Sequence, residues 1–254
     1  MVKEIASSAN EKIKLVKSLA DKKGRQACGL FVAEGTNLVK DMPDKSGALF
    51  VRKSDTDKHS AIIEGWQGEV YIAADNAFNS AADTVNSGGI LALCPIPEAK
   101  PVSGGFVLVL DGISDPGNAG TLIRTACALG ISDIVAVDSA DFYNPKTIRA
   151  SMGGVFHCNL VPLGRGEAIE SLKDYTVAVL DMNGADVYYY KPPPRLALVV
   201  GNEARGVSAE FRERADKVLA VPMYGGKMES LNAAISAAIA MSALRHGKQA
   251  EKSI

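Results

Sequence analysis

Three short runs in this chain carry no polar side chain before they break: Phe106-Val-Leu-Val-Leu110, Leu196-Ala-Leu-Val-Val200 and Val218-Leu-Ala-Val221. A strand that is apolar at every position, rather than at alternate ones, has both faces covered. That is the habit of a parallel sheet flanked by helices. Each run opens into a polar, glycine-containing loop and then into a helical stretch. This order sets backbone N–H groups at the carboxyl end of a sheet, where a ligand can approach closely. The expectation is an α/β fold with a pocket built from three loops. The last helix is lean, with alanine at 233, 234, 237, 238, 240 and 243, and should end before Gly247. A helix so short of bulk must pack closely on a neighbour, in its own domain or in a second subunit.

Upstream lies a smaller α/β unit. Asn10 is placed to cap a helix from Glu11 to about Asp21, which Gly24 ends. Strands are expected at 30–33, 48–51, 69–73 and 90–94, with helices from Gly35 to Val39 and from Asn76 to Val85. Three prolines at 95, 97 and 101, then Gly104-Gly105, forbid regular structure. The expected division is therefore a first domain over 1–94, a linker over 95–105 and a second domain over 106–254. In the second domain strands are expected at 106–113, 134–138, 155–161, 175–181, 196–200 and 217–221. Helices are expected at 118–129, around 145–152, near 167–173, shortly after Ser208 and at the end, with none between the strands at 175–181 and 196–200.

At 254 residues and 47% hydrophobic content the chain can bury a substantial core. Its net charge of −1 gives no evidence for nucleic acid, and only the distribution of charge bears on the question. Residues 1–25 hold seven Lys/Arg against three acids, a local +4 that would suit RNA or simply a solvated helix face. Cys28, Cys94, Cys127 and Cys158 are widely spaced and form no CxxC, so neither a zinc site nor a redox pair is expected. No apolar stretch is long enough to span a bilayer, and no signal-peptide pattern opens the chain. A cytoplasmic protein without metal or membrane association is the expectation.

Three segments carry more than a packing pattern: NAGTLIRTA (118–126), VVGNEARGVS (199–208) and VPMYGGKMESLN (221–232). In this order they resemble the three motifs of the SpoU, or TrmH, family of RNA ribose methyltransferases in the SPOUT superfamily. The resemblance covers about residues 106–245. The stretches 17–35 and 78–93 are similar to that family's N-terminal substrate-binding domain, itself similar to small ribosomal proteins that bind kinked RNA. The resemblance implies a C-terminal parallel-sheet domain with a deep trefoil knot, a homodimer through that domain, and S-adenosylmethionine as cofactor. It further implies methyl transfer to a ribose 2′-OH, in rRNA by preference and in tRNA as the alternative.

Site residues follow from the same resemblance. Arg124 matches the motif arginine, Glu203 the acid of the second motif, and Ser230 with Asn232 the third. Asn118 is a loop amide of the same kind. As a group with pKa above about 12, Arg124 is a poor base and a better clamp for a phosphate and a developing alkoxide. Leu198, Val200, Gly201, Asn202, Val221, Met223 and Leu231 fall where the family holds the donor through backbone groups and an apolar slot. Without the resemblance these have plainer readings: a surface ion pair for Arg124, a helix N-cap for Ser230, turn and core residues for the rest. Between Val221 and Ser230 the loop is one residue longer than the usual family form, and Ala233-Ala234 stands where Val-Ser is common. Two other classes compete. A dinucleotide oxidoreductase would use Asp138, but the loop GISDPGNAG lacks the G-x-G-x-x-G spacing. A non-catalytic RNA-binding protein of the same fold would dispense with Arg124, Ser230 and Asn232, and all three are present.

Overall fold

The structure is a computed structural model and describes residues 2–84, 87–225 and 230–250. Val85 and the loop residues 226–229 lie outside it. So do the expected end of one helix and the one-residue insertion before Ser230. The chain divides into two compact units: Met1–Glu98 with Tyr143–Phe156, and Ala99–Phe142 with His157–Ile254.

Unit 1 runs β1 (Val2–Ile5), α1 (Glu11–Ser18), α2 (Lys22–Cys28), β2 (Leu30–Glu34), α3 (Thr36–Asp41), β3 (Leu49–Arg52), α4 (Ser60–Glu64), β4 (Val70–Ala73), α5 (Asp75–Asn79) and β5 (Ile90–Pro95). Its five strands lie in the order β1-β4-β3-β5-β2. The β1, β4 and β3 strands are mutually parallel, while β5 runs antiparallel to β3 and β2. Ile13, Val16 and Leu19 drop from one face of α1 onto Ile5, Phe50, Tyr71 and Phe78, the apolar stripe that helical spacing sets up. Asn10 caps α1 by accepting from Lys12 N at 2.8 Å.

Gly24 does not stop that helix. It lies inside α2, and a Cβ on it would stand 1.9 Å from the Ser18 carbonyl oxygen. The glycine is there for close approach. The helix stop is Gly29, at φ +63. Helix α5 is also shorter than the periodicity suggests.

Unit 2 continues with β6 (Phe106–Asp111), α6 (Pro116–Ala128) and β7 (Asp133–Val137); α7 (Pro145–Ser151) then belongs to unit 1. After it come β8 (Asn159–Pro162), α8 (Arg165–Ser171), β9 (Thr176–Asp186), β10 (Leu196–Gly201), α9 (Ala209–Arg214), β11 (Lys217–Ala220) and α10 (Ala233–Ala250). The sheet order is β11-β9-β10-β6-β7-β8, and every pairing is parallel. Strands β6, β7 and β10 are buried along their whole length, as uniformly apolar sequence requires. Val107, Val109, Val179 and Val199 build one core face with Tyr175 and Phe211. The alternate residues, Leu108, Leu110 and Leu198, point to the other face.

Two expectations change here. Residues 106–254 are not one body, because Tyr143–Phe156 clusters with unit 1, where α7 packs on β2. And α10 runs through Gly247 to Ala250 rather than ending before it, since a single glycine costs a helix only about 1 kcal/mol. Among the described residues no helix is long and apolar enough to cross a membrane.

Candidate active site

The loops after β6, β10 and β11 meet at the carboxyl end of the unit 2 sheet. The first is short. Asp115 caps α6 by accepting from Asn118 N at 2.9 Å, and Pro116 takes the first helical position, where its missing N–H has no partner to lose. The second is a hairpin. Asn202 N donates to Gly206 O at 3.0 Å and Gly206 N returns to Asn202 O at 2.9 Å. Asn202 Oδ1 accepts from Ala204 N and Arg205 N at 3.0 and 3.1 Å, while its Nδ2 donates to Gly112 O at 2.7 Å. An asparagine is suited to this, with an acceptor for its own turn and a donor to spare. Gly201 leads into the hairpin, and a Cβ there would lie 2.2 Å from Val207 N. Its own backbone, not a ligand, demands the glycine.

The third loop ends at Asn232, whose Oδ1 accepts from Ala234 N at 2.9 Å and Ile235 N at 3.2 Å. Asn232, rather than Ser230, is therefore the cap of α10. Its Nδ2 donates to Asn118 Oδ1 at 3.2 Å, and Asn118 Nδ2 donates in turn to Glu203 Oε1 at 2.7 Å. One residue from each loop thus enters a single hydrogen-bonded chain, Asn232 to Asn118 to Glu203. Each amide has its acceptor and donor used in one sense only, so the chain has one consistent orientation.

Beside this chain lies a cavity of about 630 Å³. Val200, Val221, Met223 and Leu231 give it apolar walls, and Gly201, Asn202, Glu203, Ser230 and Asn232 give it polar ones. Two expected residues lie elsewhere. Leu198 is fully buried within β10 and serves the core. Arg124 is exposed on α6 and has no ion pair or hydrogen bond among the described residues.

A fourth wall has no counterpart in the motifs. Consecutive partners of β11 are Val179 for Val218 and Ala185 for Leu219, so residues 180–184 leave the β9 ladder. The excursion carries Asp181, Met182 and Asn183 into the cavity. Asp181 accepts from Asn183 N at 3.1 Å and from Arg212 Nη2 at 2.7 Å, and these bonds, the backbone one foremost, hold its carboxyl below the ordinary range. Gly184 ends the excursion against Leu219, where a Cβ would come within 2.4 Å of backbone. A glycine next to polar residues inside a strand was the available signal. Asp138, the residue a dinucleotide reading would use, is instead bound to Arg165 Nη2 at 2.9 Å.

A space of this volume, with apolar and polar walls facing one another, fits a nucleoside-sized ligand. The profile of the SpoU rRNA Methylase family matches residues 105–242, which hold all three loops. The chain belongs to this family. Ahead of the SpoU region, residues 10–92 match the MRM3-like substrate binding domain. The 23S rRNA (guanosine(2553)-2'-O)-methyltransferase RlmP of Bacillus subtilis (strain 168) is 37% identical over 96% of this chain and 100% of its own.

Solved structures agree. A putative RNA methyltransferase of the TrmH family from Porphyromonas gingivalis has a TM-score of 0.83 at 29% identity, covering 94% of this chain and 98% of that one. An AdoMet-bound rRNA methyltransferase from Sinorhizobium meliloti has a TM-score of 0.84 at 27% identity, covering 96% and 98%. As a SpoU protein the chain is an S-adenosylmethionine-dependent RNA methyltransferase.

Proposed function

We propose that this protein methylates a ribose 2′-oxygen of ribosomal RNA, with the donor in the unit 2 cavity and the RNA recruited by unit 1. The hydrogen-bonded chain Asn232–Asn118–Glu203 carries the reading, because it locks three loops together at the cavity wall. S-adenosylmethionine supplies an activated methyl group when bound. The protein must position that group in line with the hydroxyl and ease loss of a weakly acidic proton. Val221, Met223 and Leu231 supply the slot for the adenine, with Val200 beneath, and the backbone around Gly201 and Asn202 meets the ribose and methionine portions. Glu203, held by Asn118, orients the acceptor ribose, and Ser230 offers its hydroxyl at the same edge.

Arg124 stabilises the developing alkoxide and clamps a neighbouring phosphate. It lies six residues beyond Asn118, about 9 Å further along the helix axis. Its exposed place outside its own chain's cavity favours action across a homodimer. The dimer reading itself needs a new basis. Ala234, Ala237 and Ala240 are buried in unit 2, where α10 packs on α6, so the small residues of α10 already have a partner. Exposed apolar side chains supply the surface instead: Tyr189 and Tyr224, 87% and 90% exposed, with Tyr188 and Ile235. The trefoil knot, the kink-turn likeness of unit 1 and a cytoplasmic location belong to the same reading.

In unit 1, Lys14, Lys17, Lys22 and Lys23 stand exposed on α1 and α2 and would meet RNA phosphates. Mapping 2′-O-methylation across total RNA from cells with and without the protein tests the function. Loss of a methyl group from ribosomal RNA is expected. Loss confined to tRNA would reassign the substrate, and an unchanged map would contradict the proposal.

A further inference from the structure

A second polar cluster lies under the Glu203 hairpin, and its side chains, Asp111, Asp138, Arg165 and Glu210, all fall outside the three motif segments. Asp111 is the last residue of β6, paired across the sheet with Gly201 at the end of β10. It is only 2% exposed. Its Oδ2 accepts from Ser208 N at 2.6 Å, and its Oδ1 faces Arg165 Nη2 at 3.5 Å. The same guanidinium reaches Asp138 Oδ2 at 2.9 Å and Glu210 Oε1 at 3.4 Å. Arg165 thereby ties the ends of β6 and β7 to the first turn of α9. Asp138 holds φ +47, a left-handed backbone state that is uncommon outside glycine and that aspartate tolerates better than most residues.

A buried carboxylate is a poor way to gain stability. Its desolvation is costly, and an apolar residue of similar size would often serve as well. What Asp111 supplies is placement. The hairpin is tethered at both ends to the same short segment of β6 and its loop: Ser208 N to Asp111, and Asn202 Nδ2 to Gly112 O. Glu203 sits between the two tethers, with Asn118 as its hydrogen-bond donor.

We propose that Asp111, clamped by Arg165, is a positioning residue for methyl transfer: it fixes the hairpin so that Glu203 meets Asn118 at the cavity. This rests on the role proposed above for Glu203. The test uses the full chain and three readouts: single-turnover methyl transfer, calorimetric donor affinity and thermal melting. Asp111→Asn should slow transfer by about tenfold to a hundredfold, the order expected for a displaced reacting group. Donor affinity should stay within about threefold, because Asp111 holds only the Ser208 end of the hairpin while Asn202, at the donor end, keeps its own bond to Gly112 O. On a Glu203→Gln background the same substitution should add nothing, since it acts by placing a carboxylate that is no longer there.

If the two losses multiply, or if donor affinity falls in step with rate, the inference is overturned while Glu203 keeps its place. A Glu203→Gln enzyme with parental rate would instead remove the proposed role of Glu203, and the inference with it. Should Asp111→Asn fail to fold, Arg165→Gln loosens the clamp and keeps the carboxylate. It should show a smaller loss that likewise vanishes on the Glu203→Gln background, and a loss that persists there overturns the inference.

Discussion

Both units alternate strands with helices, yet they treat their polar side chains differently. In unit 2 the all-parallel sheet brings every carboxyl end to one edge, so Asn118, Glu203 and Asn232, distant in sequence, become hydrogen-bonded neighbours. In unit 1 the sheet is mixed, and the exposed lysines Lys14, Lys17, Lys22 and Lys23 are spread over α1 and α2. A parallel sheet makes a compact site from loops, while a lysine-bearing helical surface makes a diffuse one. Substitutions in unit 2 should therefore act on chemistry residue by residue, and those in unit 1 should act on affinity by summed charge.

The largest effect should come from Arg124→Ala. Transfer should fall about a hundredfold or more, as when an oxyanion donor is removed, with donor affinity nearly intact. Arg124→Lys should rescue little, because an ammonium cannot reproduce a bidentate clamp. A donor affinity that drops with the rate would make Arg124 a donor-binding or structural residue.

Arg25 breaks the picture of unit 1 as a simple charged surface. It counts among the basic residues of the sequence, but it is 2% exposed and its Nη1 donates to Leu19 O at 2.8 Å and Ala20 O at 2.7 Å. Arg25→Ala should cost roughly 2 kcal/mol of stability through those orphaned carbonyls, read by denaturant melts. RNA affinity of the folded fraction should not change. Replacing Lys14, Lys17, Lys22 and Lys23 together by alanine should do the reverse. Stability should hold, RNA affinity should fall about tenfold, and the slope of log affinity against log salt should flatten by up to about 3. An unchanged slope would move the RNA surface elsewhere.

The sequence shows the cavity end of unit 2 well, because the three loops that meet there are each a local pattern of apolar run, glycine and polar residues. Leu198 shows the limit. It lies one strand register from Val200, and only the packed sheet reveals that it faces the core. Gly184 among polar residues hints at the excursion at 180–184, but its place on the cavity wall depends on the pairing of β9 with β11, which is nonlocal. Gly24 reads as a helix stop because glycine often is one, whereas its neighbour Ser18 O explains it here. The assignment of Tyr143–Phe156 to unit 1 is equally nonlocal. It also means that removing residues 1–94 would leave α7 without β2, so point substitutions separate the units more cleanly than truncation does.

The smallest effect is a matter of pH. Glu69 accepts from Lys3 Nζ at 2.5 Å and from Tyr71 Oη at 2.7 Å, and the lysine bond foremost holds its carboxyl at about 2. A depressed carboxyl contributes stability above its ordinary value of 4.5 and loses it as pH falls toward 2. Glu69→Gln should therefore lower the melting temperature slightly at pH 7 and by much less near pH 2, and added salt should shrink the difference because the pair is exposed. An equal effect at both pH values would assign Glu69 a packing role.

The division of labour stands or falls with where the donor binds. Calorimetric titration of the full-length protein with S-adenosylmethionine, beside its Leu231→Glu variant, asks this most directly. Leu231 is 39% exposed, so a carboxylate there should spare the fold while placing charge in the apolar slot. The account predicts one donor per chain, binding unaffected by a chelator, and at least about a tenfold loss of affinity in the variant. Parental affinity in Leu231→Glu, or binding that a chelator abolishes, would contradict it.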